Sequence, residues 1–373
     1  MVERKNRIVL QWREGQEKHT GSRPNISLYR GGARFTGPHT VVVGGETLTA
    51  EHVFINTGTS PLILPIAGIE RVPYLTNRTI MDLTEVPERL LVVGASYVGL
   101  EFGQMFRRFG SRVTVVEVAD QVVPREDPDV AAALQQALES EGIGFLLGFQ
   151  ATRVEGRDRD LRVTLKDGAG AERELKVSHI LLAAGRRPNT EDLGLDAAGV
   201  AHERGWIRVN DRLETNVPGV YGLGDVTGGP AFTHISYNDY QIVFHNLFHE
   251  SKLSTAGRIV PYALFTDPEL GRVGLTEREA RASGRRVLVG SIPLSRVARA
   301  IERGTTAGLM KVVIDAGTER ILGAAILAPG GGEVVQTLMA LMMANASWKL
   351  LHQAVYIHPT MTEGFFALMN SVE

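Results

Sequence analysis

The sequence predicts an α/β fold that continues into an α+β region, and three observations support this prediction. Residues 90–117 alternate strand, helix and strand, which is the order of a parallel βαβ unit. Residues 27–56 form short runs separated by the pairs Gly31-Gly32 and Gly44-Gly45, as in an antiparallel meander. Residues 259–327 return to strand-like runs before two further helices. Because 373 residues are too many for one core, we expect several domains.

Composition excludes several classes of function. The chain has 40 basic and 42 acidic residues, so its charge favours neither nucleic acid nor an anionic membrane surface as a partner. No apolar run approaches the roughly 20 residues that span a bilayer, and the start resembles no signal peptide, so we expect a cytoplasmic protein. The chain has no cysteine, which excludes disulfides, thiolate nucleophiles and cysteine metal sites within it. No metal site is predicted.

The predicted elements follow in chain order. Residues 1–26 begin as a helix. The run Leu90–Val93 is apolar and β-branched, as in a buried parallel strand, and leads into a helix from Tyr97 to Phe109 that ends at Gly110. Later helices are predicted near 129–141, 236–249, 333–345 and 363–369. Later strands are predicted at 113–116, 143–147, 150–154, 161–165, 179–183, 259–265, 287–292, 310–314 and 321–327.

The turn between the first strand and its helix predicts a dinucleotide site. Gly94 opens a tight turn, Gly99 leaves room for the helix to pack on the strand, and Ser96 takes the place of the usual second glycine. The helix N-terminus offers N–H groups and a positive dipole end to a pyrophosphate. Glu117 ends the next strand 23 residues after Gly94, where a carboxylate can accept hydrogen bonds from a ribose. No cation follows at 118–120 to offset a 2′-phosphate, so NAD is predicted over NADP.

Four further segments follow one another in a defined order along the chain. Residues 54–61 (FINTGTSP) and 181–189 (LLAAGRRPN) are apolar strands that end in a glycine turn, and each alone could be an ordinary strand exit. Residues 217–225 lead to a Gly-Asp step, where glycine lets an acid approach a ligand hydroxyl. In the fourth segment, residues 358–363 (HPTMTE), Glu363 follows His358 by five residues and can favour the protonated imidazole. The alternative is that His358 is an ordinary turn histidine.

In this order, the segments resemble the pyridine nucleotide–disulfide oxidoreductases over essentially the whole chain. Within that family, FINTG, PREDPD, GLGDVTGGPAFT and HPTMTE are most similar to mercuric-reductase-like and reactive-chlorine-resistance flavoproteins. The resemblance implies a Rossmann-like NAD(P)-binding domain inserted in a partial FAD-binding domain and followed by an α+β dimerisation domain. The expected divisions are 1–70 and 189–257 for FAD, 71–188 for NAD(P), and 258–373 for dimerisation.

The resemblance also implies roles for individual residues. Tyr97 would be the mobile aromatic that covers the flavin until nicotinamide displaces it, and Glu101 would lie near the carboxamide. NAD(P)H would contact Gly94, Ala95, Ser96, Tyr97, Val98, Gly99, Leu100, Glu101 and Glu117, with Val154 and Gly185 nearby. FAD would contact Thr57, Gly58, Thr59, Asp225, Ala231, Phe232, Thr233 and His234. His358 and Glu363 would be the acid–base pair that serves a cysteine pair across a homodimer interface.

Two family features are not found in the sequence: an initial βαβ unit with its own GxGxxG for the FAD pyrophosphate, and a Cys-x4-Cys pair. A βαβ unit and a redox helix require about 80–90 residues, so we expect that number to precede Met1 in the family pattern and FAD binding to be weak in this chain. Mercury is disfavoured as substrate because residues 365–373 contain no cysteine pair. The leading hypothesis is a flavin-dependent NAD(P)H oxidoreductase of the disulfide-reductase family, with a small-molecule electron acceptor, that is incomplete as this chain. The alternative is a non-catalytic dimeric NAD(H)-binding protein.

Overall fold

A computed structural model describes all 373 residues and divides them into two compact units. The first unit comprises residues 1–62, 81–84 and 186–258, and the second comprises 63–80, 85–185 and 259–373. No helix combines the length and the apolar character needed to cross a membrane. The division into FAD-binding, NAD(P)-binding and dimerisation domains at residues 70, 188 and 257 stays a prediction.

The first unit combines small sheets with helices. Its initial helix, Val2–Gly21, buries none of its side chains. The strands Ala33–Gly37, Thr40–Val43 and Glu46–Thr49 form an antiparallel sheet. Two-stranded pairings join Val53–Ile55 with Val220–Gly222, Thr59–Pro61 with Arg186–Pro188, and His202–Glu203 with Trp206–Ile207. The helices Leu195–Ala198 and Thr233–Phe248 and the 3₁₀ turn Gly224–Thr227 complete it.

The predicted meander over 27–56 is correct only for 33–49. Residues 26–29 form no strand, because nothing pairs with their backbone in a ladder. The strand Val53–Ile55 leaves the meander and pairs in parallel with Val220–Gly222, which lies far away in sequence. Because parallel strands point the same way, this pairing brings the residues that follow Ile55 and Gly222 to the same edge of the sheet.

The second unit begins with a four-stranded parallel sheet. Its strands lie in the order His179–Leu182, Arg89–Val93, Arg112–Glu117 and Gly144–Leu147. The helices Tyr97–Arg108 and Pro128–Ser140 make the connections, as the sequence predicts. The antiparallel strands Phe149–Arg157, Asp160–Asp167 and Glu172–Val177 form a second sheet, of which the last strand was not predicted.

A five-stranded antiparallel sheet dominates residues 259–373. Its order is Pro261–Leu264, Glu269–Gly274, Ile321–Ala328, Leu309–Asp315 and Val287–Pro293. Glu269–Gly274 was not predicted as a strand, because Gly271 and Gly274 interrupt its apolar pattern. The helices Glu277–Ala282, Ala298–Glu302, Gly331–Met343, Lys349–Gln353 and Gly364–Met369 accompany the sheet. The remaining 3₁₀ turns are Ile69–Arg71, Ile80–Asp82 and Leu294–Arg296.

Candidate functional site

The turn at residues 94–99 brings three pieces of backbone very close together. Gly94 has φ +110°, and a Cβ there would lie 2.7 Å from the Ala183 carbonyl oxygen. A Cβ on Gly99 would lie 2.0 Å from the Gly94 carbonyl oxygen, so only glycine fits. Ser96 precedes the helix without capping it through its side chain. The N–H groups of the first turn therefore receive no side-chain cap from Ser96, which fits an anion site.

Glu117 lies beside this turn, as the spacing predicts. Its Oε2 accepts a hydrogen bond from the Ala95 N–H at 2.8 Å, and its Oε1 accepts one from the Ala119 N–H at 3.1 Å. Two backbone donors fix the carboxylate at the end of its strand, directly next to the glycine turn. Each oxygen keeps a second lone pair that can accept from a ribose hydroxyl.

Among the helix residues, Tyr97 and Glu101 make contacts outside the βαβ unit. The Tyr97 ring meets the Tyr262 ring edge-on, with centroids 5.6 Å apart. Glu101 Oε1 accepts a hydrogen bond from the Phe265 N–H at 2.9 Å, and burial raises the pKa of Glu101. The sequence did not reveal that both partners come from the segment 261–265.

Val154 and Gly185 lie in different surroundings. Gly185 (φ +120°) follows Ala183 and Ala184, whose backbone borders Gly94, so it is close to the glycine turn. The Val154 side chain is buried in a core cluster, and its N–H donates to the Ala67 carbonyl at 2.9 Å. The structure therefore brings Gly185 to the turn and anchors Val154 in packing against residues 66–72.

A second cluster lies in the first unit and joins Thr57–Thr59 to Asp225. The Thr59 hydroxyl donates to Asp225 Oδ2 at 2.9 Å. Arg186, for which the sequence predicts no role, donates from Nε to Thr59 Oγ1 at 2.6 Å and from Nη2 to the Thr59 carbonyl at 2.9 Å. The antiparallel pairing of 59–61 with 186–188 brings Arg186 here. Gly58 has φ +64°, which glycine adopts without strain.

The turn that carries Asp225 is held by a buried ion pair. Asp239 Oδ2 accepts from the Gly224 N–H at 2.9 Å, and Asp239 Oδ1 accepts from Arg258 Nη1 at 2.5 Å. Asp239 belongs to the helix that starts at Thr233. The N-terminal end of this helix and the residues just before it are Ala231, Phe232, Thr233 and His234. The Phe232 and His234 rings stack with centroids 5.4 Å apart.

His358 and Glu363 come together as predicted. His358 Nδ1 lies 2.9 Å from Glu363 Oε1 and 3.0 Å from Oε2, and the imidazole is exposed. The hydrogen bond and charge of Glu363 raise the pKa of His358. An imidazole in this state can hold and release a proton near neutral pH.

The segment PREDPD supplies carboxylates to two buried cations. Lys311 Nζ lies 2.8 Å from Glu277 Oε2, 2.9 Å from Asp129 Oδ2 and 3.4 Å from Asp127 Oδ2. Arg272 pairs with Glu126, and both side chains are almost fully buried. The signal available in the sequence was three acids within four residues, without an indication of their partners.

Comparison with known proteins identifies the family. The family model described as pyridine nucleotide-disulphide oxidoreductase matches residues 4–239, and the dimerisation domain of the same family matches residues 260–368. A probable pyridine nucleotide-disulfide oxidoreductase, RclA of Escherichia coli, is 35% identical over 100% of this chain and 85% of its own length. A dihydrolipoyl dehydrogenase of Thermus scotoductus is 38% identical over 97% of this chain and 79% of its own length. A mercuric reductase of Staphylococcus aureus is 32% identical over 98% of this chain and 66% of its own length.

Solved structures give the same answer. A Cu(II) complex of the HOCl-induced flavoprotein disulfide reductase RclA from Escherichia coli superimposes with a TM-score of 0.92 at 35% identity, covering 99% of this chain and 85% of that one. The fold is therefore that of these flavoproteins, with a Rossmann-type domain and a dimerisation domain that supports a homodimer. The family uses FAD and a pyridine nucleotide. The chain belongs to the pyridine nucleotide-disulfide oxidoreductase family.

Proposed function

We propose that this protein is an NADH-preferring, FAD-dependent oxidoreductase that passes electrons to a small-molecule acceptor. The observation that carries the proposal is the geometry of residues 94–117. Glycine permits the close approach of backbone at Gly94 and Gly99, and Glu117 is fixed beside the turn by two N–H donors. This arrangement supports pyrophosphate at the helix N-terminus and ribose at the carboxylate.

The preference for NADH rests on the charge of Glu117. A 2′-phosphate on the ribose would lie close to this carboxylate, and residues 118–120 provide no cation to compensate. The backbone hydrogen bonds to Ala95 and Ala119 keep the charge in place.

For FAD, we assign the ribitol side of the site to Thr57, Gly58, Thr59 and Asp225, with 231–234 along the flavin. Bound FAD would supply a two-electron carrier between NADH and the acceptor. Arg186 and Thr59 orient the Asp225 carboxylate, and Asp239 holds the Gly224 N–H below it. An ionised Asp225 with defined lone pairs can accept from flavin hydroxyls.

We propose that the acceptor is not a disulfide reduced through a cysteine pair of this chain, because the 373 residues contain no cysteine. His358 can deliver a proton from Nε2 to a reduced acceptor while its Nδ1 remains hydrogen-bonded to Glu363.

We also propose the division of the chain into four segments at residues 70, 188 and 257.

The test is a binding and turnover series on the purified protein. Fluorescence titration compares NADH with NADPH, and absorbance follows bound FAD. Oxidation of NADH is then measured with a quinone, with Cu(II) because the solved relative is a Cu(II) complex, and with lipoamide. Because FAD binding is expected to be weak, the assays contain added FAD. We expect tighter binding of NADH than of NADPH, and turnover with the quinone or Cu(II) but not with lipoamide. Equal affinity for the two nucleotides, or lipoamide turnover, would contradict the proposal.

The second candidate is a non-catalytic dimeric NAD(H)-binding protein. The observation that favours it is that the 373 residues contain no cysteine, so this chain cannot reduce a disulfide through a thiol pair of its own. NADH binding without any FAD-dependent oxidation, by a protein that light scattering shows to be a dimer, would select this candidate.

A further inference from the structure

A cleft of about 660 Å³ lies entirely within the first unit. Its lining comes from the strand Ala33–Gly37 and from residues 187–205. Small-molecule sites have volumes of roughly 300–1,000 Å³, so the cleft has the size of such a site. Arg187 lines the cleft, whereas its neighbour Arg186 contacts Thr59. Because successive strand residues project to opposite faces, the cleft and the Thr59–Asp225 cluster lie on opposite sides of this strand.

Two arginines of the cleft have no carboxylate partner. The charged residues of the lining are Arg34, Arg187, Arg204, Glu191 and Asp196. Arg187 Nη1 lies 2.6 Å from Glu191 Oε2, and His202 Nε2 lies 3.3 Å from Asp196 Oδ1. Both carboxylates therefore have partners within the cleft, whereas Arg34 and Arg204 form no ion pair. Two guanidinium groups remain available for an anion.

The backbone of the neighbouring segment holds Arg34 in place. The Phe35 N–H donates to the Leu193 carbonyl at 2.8 Å, which fixes the strand of Arg34 beside the segment 190–195. Gly194 has φ +73°, and a Cβ there would lie 2.7 Å from the Phe35 carbonyl oxygen and 3.1 Å from Arg34 Cγ. The aliphatic stem of Arg34 therefore lies directly against Gly194, and this wall of the cleft is closely packed.

Arg204 occupies a turn position that an arginine rarely takes. It has φ +50° and precedes Gly205 (φ +86°) in the two-residue turn between the paired residues Glu203 and Trp206. Such hairpin turns favour asparagine or glycine, and an arginine with positive φ carries strain. The turn is held from inside, because the buried Thr190 hydroxyl donates to the Gly205 carbonyl at 2.8 Å. Strain of this kind marks positions where the side chain has a function.

We propose that this cleft binds a small phosphate monoester through Arg34 and Arg204. The phosphate carries two negative charges and accepts hydrogen bonds from both guanidinium groups. The carbon skeleton lies against the apolar part of the lining, which is formed by Pro188, Leu195 and Ala197. The volume of the cleft limits the ligand to a small molecule, and the nearly balanced charge of the chain does not favour a nucleic acid.

The experiment is isothermal titration calorimetry on the full-length protein. Its probes are glycerol 3-phosphate, inorganic phosphate, and glycerol as the uncharged analogue. We expect the ester to bind, inorganic phosphate to bind more weakly because it leaves the apolar lining uncovered, and glycerol not to bind. Arg34→Met and Arg204→Gly should each weaken ester binding about 10-fold, since each removes one charge-assisted contact. Glycine adopts φ +50° without strain, so Arg204→Gly keeps the turn.

Arg212→Met is the matched control, because it removes the same charge from an exposed position of the first unit outside the cleft. Its affinity for the ester should equal that of the unmodified protein. Glu117→Gln changes the proposed nucleotide site and should also leave this affinity unchanged, so the inference and the proposed function fail separately. The inference is overturned if the ester does not bind, if it binds no more tightly than inorganic phosphate or glycerol, or if its affinity survives both cleft variants. An equal loss in Arg212→Met also overturns it.

Discussion

The glycine turn and the Thr59–Asp225 cluster are built in different ways. The turn belongs to one βαβ unit, in which 28 consecutive residues, 90–117, supply the strand, the helix N-terminus and the acid. The cluster assembles residues from three distant segments: Thr59 and Asp225 are 166 positions apart, and Arg186 and Thr59 are 127 apart. The first site is set by local geometry and the second by strand pairing.

This difference determines which kinds of substitution disturb each site. In the turn, backbone lies against backbone, so an added methyl group has no space. In the cluster, side chains hold one another through charge and hydrogen bonds, so removal of one partner leaves another unsatisfied. Steric substitutions should therefore affect the turn, and charge substitutions should affect the cluster.

The largest expected effect is that of Gly99→Ala. Its Cβ would lie 2.0 Å from the Gly94 carbonyl oxygen, so the strand and helix must separate. We expect the free energy of unfolding to fall by about 3 kcal/mol and NADH affinity to fall at least about 10-fold. Urea denaturation and fluorescence titration measure both quantities.

Gly103→Ala is the control, because it lies on the same helix and its Cβ would be 3.7 Å from Val113 Cγ1, an ordinary contact. An alanine there should be neutral or stabilise by up to about 1 kcal/mol. If both variants behaved alike, close approach of backbone at Gly99 would not be the limiting feature.

Arg258→Met tests the cluster through charge. The variant leaves Asp239, which is 2% exposed, without its cation. We expect the free energy of unfolding to fall by about 3 kcal/mol, and FAD affinity to fall because Asp239 also holds the Gly224 N–H. Arg187→Met breaks the exposed pair with Glu191 and should cost no more than about 0.5 kcal/mol. Equal losses in the two variants would refute a special role for the buried pair.

Glu117→Gln changes the charge beside the glycine turn. We expect the unmodified protein to bind NADH at least about 10-fold more tightly than NADPH, and the variant to narrow this gap to about threefold or less. Glutamine keeps an oxygen that accepts from the Ala95 N–H, so the turn itself should persist. Glu139→Gln on the following helix makes the same change of charge and should leave the ratio as it was. Nucleotide titrations of the three proteins give the ratios.

The smallest expected effect is the titration of His358. Glu363 raises the pKa of this exposed imidazole, whereas burial lowers the pKa of His179. Any stability from the His358–Glu363 pair is thus complete below the ordinary histidine pKa and is lost as pH rises through the raised value. NMR titration should show His358 above the ordinary value, and Glu363→Gln should lower it without moving His179. An unmoved His358 would show that Glu363 does not control its proton.

Much of the glycine turn could be predicted because its determinants are close together in the chain. The run Leu90–Val93, the pair Gly94 and Gly99, and the acid Glu117 specify one supersecondary unit whatever surrounds it. The pair His358–Glu363 was predictable for the same reason. The antiparallel strand Glu269–Gly274 was missed because its glycines hide the alternation that marks a strand.

The family landmarks, the parallel sheet and the position of Glu117 could be predicted from the sequence, because they depend on short-range periodicity and spacing. The three-dimensional structure was needed to show that Arg186 orients Asp225 through Thr59, and that the Tyr262 hydroxyl and Arg272 both contact Glu126. The physical reason is strand register: pairing brings together side chains that are remote in the chain, and a shift of one residue would turn each of them to the opposite face.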